Sequence, residues 1–172
     1  MFSDGILREA LLDCKIAHAG QVRKYTGIPY YTHPLHVAQI LIECGVTDED
    51  MLVAALLHDV LEDTDMPERL ILDRYGYGVG ALVVELTDPP VEGNRAVRKT
   101  AHAHRLARAS GRGQTIKCAD LISNTSDITK HAPDFARVYL REKEYVLSLF
   151  TRADPVVYAR ACASIKEAQA AL

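Results

Sequence analysis

The sequence predicts an all-α fold of about eight to ten helices, and three observations lead there. No stretch of the 172 residues alternates apolar and polar side chains long enough for a firm strand assignment. One run, Met51 to Leu57, is continuously apolar, as in a helix buried on most sides. Prolines and glycines fall where helices would begin and end. Hydrophobic residues make up 48% and charged residues 25%, ordinary globular values, and the length suits one domain over residues 1–172.

The elements follow in order. Ser3 is placed to cap a first helix running to about Ala19, and Gly20 ends it. Gln21 to Thr32 read as a loop broken by Gly27 and Pro29. His33-Pro34 opens a second helix with proline at the first helical position, where its missing N–H costs nothing; Gly45 closes it. Asp48 caps the apolar third helix. A short helix follows Pro67 and stops at Gly76, and another covers about Val79 to Leu86 before Pro89-Pro90. Further helices are expected over roughly Arg95 to Ala109, Gln114 to Thr129, Pro133 to Thr151 and Pro155 to Leu172.

Composition excludes several classes of function. The cysteines Cys14, Cys44, Cys118 and Cys162 form no CxxC pair, so zinc ribbons and thioredoxin-type centres are not expected, and the thiols read as reduced packing residues. No apolar run approaches the ~18 residues of a membrane span, and the N-terminus lacks a secretory pattern. The expected location is cytoplasmic. A net charge of −3 does not advertise a nucleic-acid binder. Gly93 to Ala119 nevertheless contains no Asp or Glu while holding Arg95, Arg98, Lys99, Arg105, Arg108, Arg112 and Lys117. A local basic run in an acidic chain points to a specific anionic ligand, with a solvated helix face as the plain alternative.

The chemistry concentrates in three segments: Tyr31 to Pro34, HDVLED from His58 to Asp63, and Lys117 to Asp120 with Asn124 after it. Asp59, Glu62 and Asp63 follow a buried apolar run, where uncompensated carboxylates are costly, and a divalent cation is the simplest compensation. At helical spacing His58 shares a face with Glu62, and Asp59 with Asp63. The helix end then offers two ligands and, one turn further, two carboxylates for acid–base work. His33 and Asp120 arrive from separate elements to complete the shell. Singly, each residue has an ordinary explanation: a helix start for His33, a core histidine for His58, pairing with Lys117 for Asp120, a backbone hydrogen bond for Asn124. Together they make a metal site the better reading. Two imidazoles and two carboxylates without thiolate suit manganese or iron better than structural zinc.

HDVLED, with His33-Pro34 before it and Lys117-Cys-Ala-Asp120 after it, resembles the HD superfamily of metal-dependent phosphohydrolases. The longer strings AHAGQVRKYTGIPYYTHPLHVAQIL, AALLHDVLEDT and KCADLISN are similar to the hydrolase domain of the Rel/Spo family. The resemblance covers nearly the whole chain and implies a compact HD-type helical bundle and a stand-alone small alarmone hydrolase. It implies hydrolysis of the 3′-diphosphate of ppGpp or pppGpp, giving pyrophosphate and GDP or GTP. It also implies Mn2+ (or another divalent transition metal) held by His33, His58, Asp59 and Asp120, water handled by Glu62 and Asp63, and a purine nucleotide contacted by Arg23, Lys24 and Asn124.

Departures from the family pattern bear on selectivity. Thr125 and Ser126 stand where Leu or Met and then Arg are usual, Cys118 replaces a leucine, and Asp88 to Gly93 matches no motif. Adenine alarmones (ppApp, pppApp), the 2′-phosphate of NADPH and deoxynucleotide 5′-monophosphates are the alternative substrates, and a nucleotide-binding signalling domain is the alternative without catalysis. Arg95, Arg98, His102 and Arg105 recur at helical spacing, so one or two of Arg95, Arg98 and Lys99 are expected on substrate phosphates, with Tyr139, Arg141 and Tyr145 as candidates to close the pocket from a later helix.

Overall fold

The structure, a computed structural model, describes residues 5–172, and the side chains of all of these but 126 and 127. Nine helices and an isolated bridge between Val22 and Pro29 make up its regular structure among the described residues. The all-α expectation holds. The chain forms two compact units, one ending at Thr87 and the other running from Asp88 to Leu172.

The first unit contains α1 (Ile6–Ala17), α2 (Thr32–Glu43), α3 (Glu49–Leu57), α4 (Val60–Asp63) and α5 (Glu68–Leu86). Its centre is α3. Every residue from Met51 to Leu57 is buried, and α3 packs against α1, α2 and α5. Three neighbours around one helix explain why its sequence shows no polar face. Asp48 caps it as expected, its side chain accepting from the Met51 N–H at 3.1 Å. The cap expected at Ser3 lies outside the described residues. Gly76 has φ 80° and ψ 175°, a conformation glycine alone adopts cheaply, so the break expected there is a kink inside α5.

Two local expectations need correction. α2 begins at Thr32, one residue before His33, so Pro34 is its third residue. The N–H that proline lacks is still among those a first turn leaves unpaired. The second correction concerns the third helix, which does not continue through HDVLED. It ends at Leu57, with His58 as C-cap, and Asp59 (φ −99°, ψ −6°) starts the single turn α4. His58 and Asp59 therefore occupy a junction between helices, not one unbroken helical face with Glu62 and Asp63.

The second unit contains α6 (Arg95–Ala107), α7 (Gly111–His131), α8 (Pro133–Ser148) and α9 (Pro155–Ala170). Its axis is α7, which packs on α6, α8 and α9. The fully buried Gln114 ties three segments together. Its amide oxygen accepts from Thr151 N (3.2 Å) and Arg152 N (2.9 Å), and its nitrogen donates to Ala107 O (3.1 Å). Cys14, Cys44, Cys118 and Cys162 are all free thiols. Among the described residues no helix is long and apolar enough to cross a membrane.

Candidate metal centre and substrate groups

In the first unit, α2 supplies His33 and the α3–α4 junction supplies His58 and Asp59. Both imidazoles are 3% exposed, and a nitrogen of one lies within 4.8 Å of a nitrogen of the other. His58 Nδ1 donates to Ala55 O at 2.8 Å. That bond occupies Nδ1 and leaves Nε2 facing Asp59 Oδ2 at 3.1 Å. His33 Nε2 lies 3.7 Å from the same oxygen. Two buried ring nitrogens and a carboxylate oxygen thus converge. Two imidazole nitrogens and a carboxylate oxygen at this spacing form a donor set that suits a divalent ion.

Tyr30, which sequence reasoning passed over, organises the carboxylates. Its hydroxyl lies 2.8 Å from Asp59 Oδ2 and 3.3 Å from Asp63 Oδ2, so one phenolic proton is shared between a ligand candidate and an acid–base candidate. The buried His18 ring sits 4.7 Å from that of Tyr30, and His18 Nδ1 donates to Gln21 Oε1 at 2.8 Å. Gln21 Nε2 in turn donates to Asp63 O at 2.7 Å, pinning the end of α4 to the loop after α1. All three residues lie in the string that carries the family resemblance, which was the available signal.

Glu62 and Asp63 sit on α4 with exposed side chains. Partial desolvation, then the charge of Asp59, push the Asp63 carboxyl above its ordinary range, while the Tyr30 hydrogen bond and the charges of His18 and His58 pull it back. A carboxylate biased towards accepting a proton is what water activation needs. Arg23 and Lys24 lie in the loop before α2, which Arg23 N closes on Ile28 O at 2.8 Å. Arg23 is half-buried, and Lys24 is exposed with its ammonium 5.3 Å from the Tyr25 ring centroid.

In the second unit Asp120 is buried in α7. Lys117 Nζ lies 2.7 Å from its Oδ2, and Asn124 Nδ2 donates to its Oδ1 at 2.6 Å. Asn124, expected on the ribose, here orients a carboxylate. Three cations of the basic run, Arg95, Arg105 and Lys117, pair with acids outside it. Arg95 makes a two-pronged pair with Glu142, both contacts at 2.8 Å. Asp88 takes His102 at 2.8 Å and Arg105 at 2.5 Å. Arg98 donates to Gly93 O at 2.6 Å, and Lys99 is half-buried on α6. Tyr145, on α8, shares a hydrogen bond with His104 Nε2 at 3.2 Å.

The comparisons agree with this chemistry. Residues 10–111 match the family described as HD domain. The chain is 39% identical over 106 residues to a Drosophila melanogaster protein named guanosine-3′,5′-bis(diphosphate) 3′-pyrophosphohydrolase MESH1, covering 61% of this chain and 59% of that protein. The human protein of the same name is 37% identical over 123 residues, covering 68% and 66%. The chain thus spans about three fifths to two thirds of the length of these relatives. A solved structure described as a metazoan ortholog of SpoT that hydrolyses ppGpp superposes with a TM-score of 0.87 at 28% identity, over 97% of both chains. HD-family membership implies a divalent metal, for which His33 and His58 are suitable donors. The chain belongs to the HD-domain family.

Proposed function

We propose that this chain is a manganese-dependent phosphohydrolase that removes the 3′-diphosphate of ppGpp and pppGpp, releasing pyrophosphate and GDP or GTP. The observation that carries the reading is the meeting of two buried imidazoles with Asp59, next to Asp63, through a shared tyrosine hydroxyl. The names of the relatives supply the substrate class. Residues 1–172 act as one HD-type domain in this reading.

His33, His58, Asp59 and Asp120 hold the ion. When bound, it supplies Lewis acidity towards the phosphoryl oxygens and makes water more acidic. Glu62 and Asp63 orient the attacking water and accept its proton, Asp63 being held in place by Tyr30 and Gln21. The water oxygen bonds to the phosphorus next to the 3′-oxygen, the bond from that phosphorus to the 3′-oxygen breaks, and the ribose hydroxyl leaves with a proton. Arg23 stacks on the base and Lys24 meets phosphate. Asn124 contacts the ribose, and Tyr145 closes the pocket. Arg95, Arg98 and Lys99 are the phosphate candidates; of these, Arg95 must exchange Glu142 for substrate, whereas Lys99 already carries a half-buried charge.

The test is product identification from a panel of ppGpp, pppGpp, ppApp, NADPH, dAMP and cyclic nucleotides with Mn2+. Pyrophosphate from a guanosine 3′-diphosphate is expected. Dominant orthophosphate release from NADPH or dAMP would replace the substrate assignment, and tight binding without turnover would replace catalysis by a signalling role.

A further inference from the structure

His18 is 2% exposed, and the proposed reaction gives it no part. It is the C-cap of α1, its N–H donating to Cys14 O at 3.0 Å. The turn over residues 18–21 is closed twice. Gln21 N donates to His18 O at 3.0 Å, and His18 Nδ1 meets Gln21 Oε1 at 2.8 Å. Gly20, with φ 80°, lets the backbone turn there.

The direction of the side-chain bond follows from the far end of Gln21. Its Nε2 lies 2.7 Å from Asp63 O, and a carbonyl oxygen only accepts, so the amide nitrogen faces Asp63. The amide oxygen then faces the imidazole, and Nδ1 must carry a proton in either charge state of the ring. Nε2 is sealed from solvent and has no hydrogen-bond partner among the described residues. An apolar side chain would fill the same space without burying an unpaired nitrogen, so packing alone does not account for a histidine here.

The same turn holds Tyr30. Tyr30 N donates to Gln21 O at 2.9 Å, and the two rings, of His18 and Tyr30, lie 4.7 Å apart. The Tyr30 hydroxyl and Asp63 Oδ2 are 3.3 Å apart, and both residues are tied to residues 18–21. Tyr30 is tied through Gln21 O and the His18 ring, Asp63 through the Gln21 amide.

We propose that His18 is a positioning residue for Asp63. Its Nδ1–H fixes the Gln21 amide, which holds the Asp63 backbone while Tyr30 holds the carboxyl. The inference rests on the reading of Asp63 as the group that takes the proton of the attacking water. The hydrogen-bonded chain itself does not depend on the substrate.

The experiment compares three variants of the full chain by kcat and KM for ppGpp with Mn2+, and by hydrogen exchange of the Asp63 amide, which is bonded to Asp59 O. His18→Leu keeps apolar bulk beside Tyr30. His18→Asn puts an amide nitrogen near the place of Nδ1, and His18→Gln puts one near that of Nε2. The Leu and Gln variants are expected to lower kcat about 10–100-fold, as a misplaced base does, with KM within about twofold. Their Asp63 amide should exchange about fivefold faster, the factor for one lost hydrogen bond. The Asn variant should recover most of both. Adding His18→Leu to Gln21→Leu should lower kcat no further, because both break one chain. Asn and Gln variants that behave alike, or additive losses with Gln21→Leu, overturn the proposal. Without alarmone turnover in the parent the proposed function falls, and the exchange rates decide the positioning alone: faster in Leu and Gln but not in Asn supports it, no such difference overturns it. If the variants fold poorly, the imidazole nitrogen resonances of the parent serve, with Nδ1 of His18 protonated as expected or unprotonated against the proposal.

Discussion

Tyr30 shows how one residue couples two roles. Its single proton serves Asp59 and Asp63, so it fixes a ligand carboxylate and restrains a base. Tyr30→Phe is expected to lower kcat about 10–100-fold, the usual effect of removing a group that orients a metal ligand, with the thermal midpoint little changed. Steady-state kinetics beside a melting curve check this. Asp59→Ala should lose metal and activity together, whereas Glu62→Gln should keep the metal and lose most turnover; equal metal loss in both, read by metal analysis after dialysis, would make Glu62 a ligand. The thiols give a separate test. Burial pushes Cys14 up to about 12 and Cys118 higher still, so both should resist alkylation at pH 8 while Cys44 and Cys162 react. The sign for stability follows. The unfolded Cys14 thiol ionises near ~8.5 and the folded one does not, so its contribution is full below that pH and is lost as pH rises towards 12. His33, His58 and Asp59, which the structure brings together, were legible only as a set, since each alone had an ordinary use. Tyr30 was not, because a tyrosine in a loop has no periodicity to expose it. The pairing of Arg95 with Glu142, 47 positions apart, was equally invisible in one dimension.

At the scale of elements, the sequence placed the helices and missed how they join. Gly and Pro punctuation marked the kink at Gly76 and the starts at Pro133 and Pro155. It did not reveal that α3 stops at Leu57, because HDVLED has helical composition throughout and the break depends on packing around it. The join between α7 and the α8–α9 connection was also hidden. A Cβ on Gly111 would lie 2.7 Å from the backbone oxygen of Arg152, which no side-chain rotation relieves. Gln114 binds that same connection through Thr151 N and Arg152 N. Gly111→Ala should cost about 1–3 kcal/mol by overpacking. Gln114→Ala should cost about 1–3 kcal/mol, because the part-buried N–H groups of Thr151 and Arg152 lose their acceptor. Denaturant titration of each variant checks both values, and an unchanged midpoint would remove these contacts from the stability of the second unit.

For the whole molecule, the fold class was readable from the lack of strand periodicity and the buried run of α3. The division after Thr87 was not, since no linker composition marks it. The segment Asp88 to Gly93, which matched no motif, is where the second unit begins, and Asp88 is the acid that contacts His102 and Arg105. A basic stretch that looks free in sequence is thus mostly internal to its own unit. Lys99 and Lys143 remain without hydrogen-bonded counter-ions among the described residues. Guanosine alarmone hydrolysis is tested most directly by incubating the purified chain with ppGpp and Mn2+ and following GDP and pyrophosphate together. Equimolar appearance of both, abolished by Asp59→Ala, is the predicted result. No pyrophosphate from ppGpp, with the metal shown to be bound, would contradict it.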